Sequence, residues 1–178
     1  MQNRLPHSGK YSIMRGVGMM PLFCSIRKPF RLCYTVREQK GSNMGRSEIR
    51  EHIFRILFGK EFHTPEELPE QADLYMDLLK TEREVREEDE AYIEEKSKKI
   101  ETLIPEIDAL INEHTTGWKT GRMNKVDLTI LRLAVYEIKW DDDIPVKVAI
   151  NEAVELAKRY SSDEGPAFIN GVLAKLAD

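Results

Sequence analysis

Arg46 and Arg50 stand four residues apart at the start of an isoleucine-rich run, and two guanidinium groups so spaced can hold a phosphate chain. At about 100° per residue they lie about 40° from one another on a helix, close to the stripe made by Ile53 and Leu57. Near a helix start, such side chains project past the end of a core and meet phosphates. Arg55 falls on the opposite side, near His52 and Glu48. Local pairing with Glu48 or Glu51 is the competing reading, because neighbouring acids can neutralise surface arginines.

Other chemistry is harder to assemble. His7, His52, His63 and His114 are far apart, with no i, i+4 pair and no companion cysteine, so their spacing gives no metal site. No glycine-rich loop sits between a strand and a helix to cradle phosphate. Glu152 and Glu155 form an i, i+3 pair that reads as a solvated face, and Glu137, among apolar neighbours, reads as a satisfied structural carboxylate. The residues point to no enzyme and no cofactor.

Charge is unevenly placed along the 178 residues. Eight of the 27 Lys/Arg but only one of the 31 Asp/Glu, Glu38, precede Met44. The remainder carries 19 basic and 30 acidic side chains, a net charge of −11. Such a field repels polyphosphate, so RNA binding would need a local basic patch and a partner that adds positive charge. Cys24 and Cys33 both precede Met44, which leaves the body without a disulfide or cysteine metal site and fits a cytoplasmic setting. No apolar run approaches the length that crosses a membrane.

Residues 1–43 are basic, scattered with Gly and Pro, and lack any persistent period; they read as a disordered leader or as sequence upstream of a start at Met44. Residues 44–178 read as one all-α domain, a bundle of about seven helices. Ile49, Ile53, Ile56 and Leu57 mark the first helix. Thr64-Pro65-Glu66-Glu67 is a capping-box start for a second, with Leu68, Ala72, Tyr75, Leu78 and Leu79 inward. A third is expected over 87–103 and a short fourth from Pro105 to His114. Asn124 caps a fifth that is apolar over most of its circumference and therefore central. Ala149, Ala153, Leu156, Ala157 and Tyr160 stripe the sixth, and Ser161–Asp163 start a seventh bearing Phe168, Val172, Leu173 and Leu176.

Three blocks then stand in order. Trp118 and Arg122 precede Val126-Asp127, Ile130-Leu131-Arg132-Leu133-Ala134 and Tyr136-Glu137. Ile144-Pro145, Lys147, Ala149, Asn151-Glu152, Glu155 and Tyr160 follow, and Phe168-Ile169-Asn170-Gly171-Val172-Leu173 closes the chain. In these blocks residues 44–178 resemble the NusB family of transcription antitermination factors. The resemblance implies an all-helical, non-enzymatic protein that binds the boxA element of nascent RNA together with NusE, a small-subunit ribosomal protein. It also implies a place in complexes that keep RNA polymerase from terminating early, notably on ribosomal RNA operons. A basic ribosomal partner would supply the charge that this acidic body lacks.

The family's RNA contact is an arginine-rich N-terminus running into the first helix. Arg46 and Arg50 match it, Arg55 occupies a position that is often basic, and Lys147 is added to the patch. Ser47 and Glu48 stand where many members have further arginines, which implies weak RNA binding without the partner. Trp118 is expected to anchor its connector, and Asn151 and Asn170 to satisfy helix ends or buried backbone. Two other readings stay open: a protein-only adaptor or homodimer, and the RNA-recruiting domain of a ribosomal RNA methyltransferase.

Overall fold

A computed structural model describes residues 44–64, 67–115, 117 and 119–177, all within one compact unit. The leader with His7, Cys24 and Cys33, the proposed first helical residue Pro65, and Trp118 lie outside the described residues. Six α-helices run in the order α1 (Arg46–Gly59), α2 (Leu68–Glu82), α3 (Glu87–His114), α4 (Lys125–Lys139), α5 (Val146–Tyr160) and α6 (Gly165–Ala177). Single 3-10 turns follow α1 at Lys60–Phe62 and precede α4 at Thr120–Arg122. Among the described residues there is no strand.

The bundle is organised by α4. Every residue from Val126 to Glu137 except Arg132 is buried, and α1, α3, α5 and α6 all pack on it. Asn124 starts it as its type suggests, its side-chain oxygen accepting from the Val126 amide at 3.1 Å. In α5, Ala149, Ala153 and Ala157 are buried, and these small side chains let α4 and α6 approach closely.

Six helices replace the seven expected because α3 runs unbroken through Pro105. Pro105 is on the exposed side of α3, so its ring meets solvent rather than a neighbouring helix. Its missing amide costs one internal hydrogen bond, and burial of Ile100, Ile107 and Ile111 on the other side holds both halves in line. Two helix starts also move. α2 begins at Leu68, after only half a capping box forms, with the Thr64 amide donating to Glu67 at 3.1 Å. α6 begins at Gly165 because the Ser161 hydroxyl donates to Asp127 of α4, so 161–163 tie the connection down before the helix starts. A Cβ at Gly165 would lie 2.1 Å from the Ser161 hydroxyl oxygen, which only glycine avoids. On α2, Met76 and Leu79 are buried, whereas Leu78, expected inward, is exposed.

Candidate nucleic-acid interface

The two arginines that spacing placed together are separated by the fold. Arg50 is carried inward on the Ile53/Leu57 side of α1, where 7% of its side chain is exposed. Its Nε donates to both carboxylate oxygens of Glu137 on α4, at 3.0 and 2.9 Å, and its Nη1 lies 3.1 Å from Glu152 on α5. Lys96 of α3 completes the cluster, donating to Glu137 at 3.0 Å and to Asp141 at 2.9 Å. Burial alone would discharge this lysine, but Glu137 and Asp141 hold its pKa above the usual lysine value. Glu137 is thus the satisfied structural carboxylate its neighbours implied, shared by two cations. The expectation that Arg50 faces phosphate meets a correction: its guanidinium is committed to a buried pair that joins three helices.

Arg46 behaves differently. It is exposed in the first turn of α1, and no described residue bridges it. Next to it, the Ser47 hydroxyl donates to Glu152 at 3.0 Å, which sets the start of α1 beside α5. Lys147, five residues before Glu152, is exposed and likewise has no described ion-pair partner. Lys139, the last residue of α4 and two before Asp141, is a third such cation. The end of the bundle where α1 and α5 begin and α4 stops therefore carries Arg46, Lys139 and Lys147, with Asp142 and Asp143 exposed in the intervening turn.

Arg55 lies elsewhere. It is nine residues along α1 from Arg46, or about 13 Å at the helical rise. Its guanidinium is engaged by Glu51 at 2.5 Å and by the Tyr160 hydroxyl at 3.0 Å. Against the pull of burial, Tyr160, Arg55 and Arg159 hold the Glu51 carboxyl below its usual range. Beside this cluster His52 is buried, 2.7 Å from the Tyr75 hydroxyl, and burial together with Arg55 pushes its pKa down to about 4. It is neutral at pH 7. Among the described residues no group of three or more His, Cys, Asp or Glu is placed to hold a metal ion.

The acid at position 48 is not left to repel a phosphate chain, because Arg83, the residue after α2, bridges it. Asn151 and Asn170, expected to satisfy helix ends or buried backbone, are exposed within α5 and α6 and bond no described residue. They line a shallow groove with Lys147, Ile150, Val154, Pro166 and Ala167.

The NusB family model matches residues 47–178. The transcription antitermination protein NusB of Agathobacter rectalis is 58% identical over 134 residues, covering 75% of this chain and all of that protein. Its namesake from Lachnoclostridium phytofermentans is 51% identical over 135 residues, again along its full length. The chain belongs to the NusB family. The solved structure of T. maritima NusB, 31% identical, superposes with a TM-score of 0.69 over 76% of this chain and 92% of that one. A complex of antitermination factors NusB and NusE with double-stranded RNA, 22% identical, shares the fold at a TM-score of 0.61, covering 74% of this chain and 95% of that one.

Within this NusB fold, Arg46 and Lys147, which the sequence singles out, are exposed at one end of the bundle, together with Lys139, which the sequence does not single out. A warning about Arg50 was available: an arginine on the apolar stripe of one helix and a glutamate on the apolar face of another imply a buried partnership. No comparable signal separates Lys139 from other terminal lysines: Lys175, in the last turn of α6, likewise has no described ion-pair partner, and only the fold places Lys139 at the end shared with Arg46 and Lys147.

Proposed function

We propose that this protein is a non-enzymatic transcription antitermination factor that binds boxA RNA together with the ribosomal protein NusE. It would act in the cytoplasm, within the RNA polymerase complex that transcribes ribosomal RNA operons. The carrying observation is a family member in which three of the cations without a described carboxylate partner, Arg46, Lys139 and Lys147, share one end of a body with net charge −11. Arg46 and Lys147 are assigned to phosphates. Arg50 and Arg55 are assigned to holding α1 against α4 and α5, so that Arg46 is presented from a fixed helix start. Three cations beside two exposed aspartates give modest attraction, which is the reason for expecting a basic partner to complete the surface.

A protein contact surface is favoured by a separate observation. Leu74 and Leu78 of α2, 61% and 49% exposed, border a groove of about 230 Å³ with Ile56, Ala72 and Tyr75. That surface also suits the alternative of a protein-only adaptor or a homodimer, which would not use Arg46 or Lys147 at all.

Titration of labelled boxA RNA and a scrambled RNA, with this protein alone and with NusE, tests the reading. Preference for boxA that strengthens in the mixture is expected, and equal binding of both RNAs by the mixture contradicts it. Retained function in the variant Arg46→Glu/Lys147→Glu would instead support the adaptor.

A further inference from the structure

Aromatic side chains crowd the same end of the bundle without a structural need for their exposure. Among the described residues, seven large apolar or aromatic side chains are exposed, and four of them, Tyr92, Trp140, Val146 and Val148, lie on or beside this end. Trp140 is the residue after α4, 37% exposed, and its ring stacks on Tyr136 at 6.3 Å between centroids with planes 19° apart. Tyr136 is buried beside it, and the indole is left partly exposed. Tyr92 of α3 is 45% exposed, and Lys96 joins the two rings, its ammonium 5.4 Å from the Tyr92 centroid and 5.9 Å from that of Tyr136. Asp89, one turn before Tyr92, accepts from the backbone of Met44, which puts this part of α3 beside the entry to α1 and Arg46.

We infer that Trp140 and Tyr92 form a stacking platform for unpaired bases of a single-stranded RNA whose phosphates are held by Arg46, Lys139 and Lys147. The inference deepens the proposed function and rests on it. Charge argues for it as well as geometry. Asp142 and Asp143 are exposed directly after Trp140 and its bridged neighbour Asp141, so phosphate attraction here is partly cancelled. Base stacking on an aromatic ring does not depend on net charge and tolerates that field. The buried cluster serves the platform too: Lys96 lies behind the rings while bound to Glu137 and Asp141, fixing the turn that carries Trp140.

The test uses the full chain with boxA RNA, the same RNA annealed to its complement, and boxA RNAs carrying one abasic position each. Trp140→Leu keeps bulk without an aromatic face, and Trp140→Phe keeps the face. Affinity for single-stranded boxA is expected to fall about tenfold in Trp140→Leu with an unchanged salt slope, and to stay within about threefold of wild type in Trp140→Phe. At least one abasic position should weaken the wild type about as much as Trp140→Leu does and cost that variant nothing further. Tyr92→Leu should repeat the pattern at the same or a neighbouring position. Equal affinity of Trp140→Leu and wild type overturns the platform. So does equal loss in Trp140→Phe and Trp140→Leu, or a loss confined to NusE binding with RNA binding intact. If the wild type binds no boxA RNA even with NusE, the proposed function falls and the platform falls with it; wild-type binding with indifferent variants sinks the platform alone.

Discussion

Arg46 and Arg50 are one helical turn apart and end in opposite environments. Arg46 is exposed and unbridged, whereas Arg50 is buried against Glu137 and Glu152, with Lys96 bound to the same Glu137 carboxylate. The difference comes from what faces each residue. Arg50 shares its arc with Ile53 and Leu57 and meets α4, while Arg46 stands at the helix start, before the core closes. A charged side chain on an apolar stripe is a request for an opposite charge inside, and Glu137 answers it. One arginine ties helices together, and the other stays exposed.

The largest effect that can break this comparison is on folding. Arg50→Met removes one cation from a buried cluster and leaves Glu152 with no cation beside it, only the Ser47 hydroxyl, so a loss of about 3–5 kcal/mol is expected in urea unfolding. Arg46→Met should change stability by less than about 0.5 kcal/mol. Equal stability of the two variants would erase the distinction.

A second effect tests burial on the same helix in a group that must stay neutral. The pKa of His52 is near 4 in the folded chain against 6.5 for an unperturbed histidine. Between those values the unfolded chain takes up the proton and the native state does not. The contribution is therefore complete above about pH 6.5 and is lost as pH falls toward 4, with a slope of up to about 1.4 kcal/mol per unit. Urea midpoints at pH 7, 6 and 5 should decline in the wild type and flatten in His52→Gln. Parallel curves would show that His52 is not the titrating group.

Smaller effects concern RNA. Arg46→Gln and Lys147→Gln are each expected to weaken boxA binding several-fold, with melting temperature unchanged. Smaller still is a gain: Ser47→Arg adds a cation beside Arg46 and should raise affinity a few-fold at low salt. It also breaks the exposed Ser47–Glu152 bond, a cost of about 1 kcal/mol or less. A loss of affinity in that variant would place the RNA elsewhere.

Much of the fold was legible because it depends on local signals. Asn124 and the nearly continuous apolar surface of 126–138 identify a capped central helix, and the alanines of 149–157 identify its close-packed neighbour. The join of 87–103 with 105–114 was not legible, since a proline that ends most helices is tolerated when its ring faces water. Nor was the outward turn of Leu78, whose spacing matches Leu79 and Tyr75 but whose side of α2 has no helix to cover it. At the candidate site, Arg46 and Lys147 were readable from residue type and helix position. The withdrawal of Arg50, the pairing of Glu48 with Arg83 and the exposure of Trp140 depend on residues distant in sequence, and only the folded chain brings those together.

Salt dependence of boxA binding separates the two arginines most directly. Log affinity should be measured against log salt concentration for the wild type, Arg46→Gln, Lys147→Gln and Arg50→Met, at a temperature where circular dichroism shows all four folded. Expected is a slope smaller by about 0.7 for each of the first two variants, as for the loss of one phosphate contact on a single strand, and an unchanged slope for Arg50→Met. An unchanged slope in Arg46→Gln together with a reduced one in Arg50→Met would contradict the division of labour between the exposed and the buried arginine.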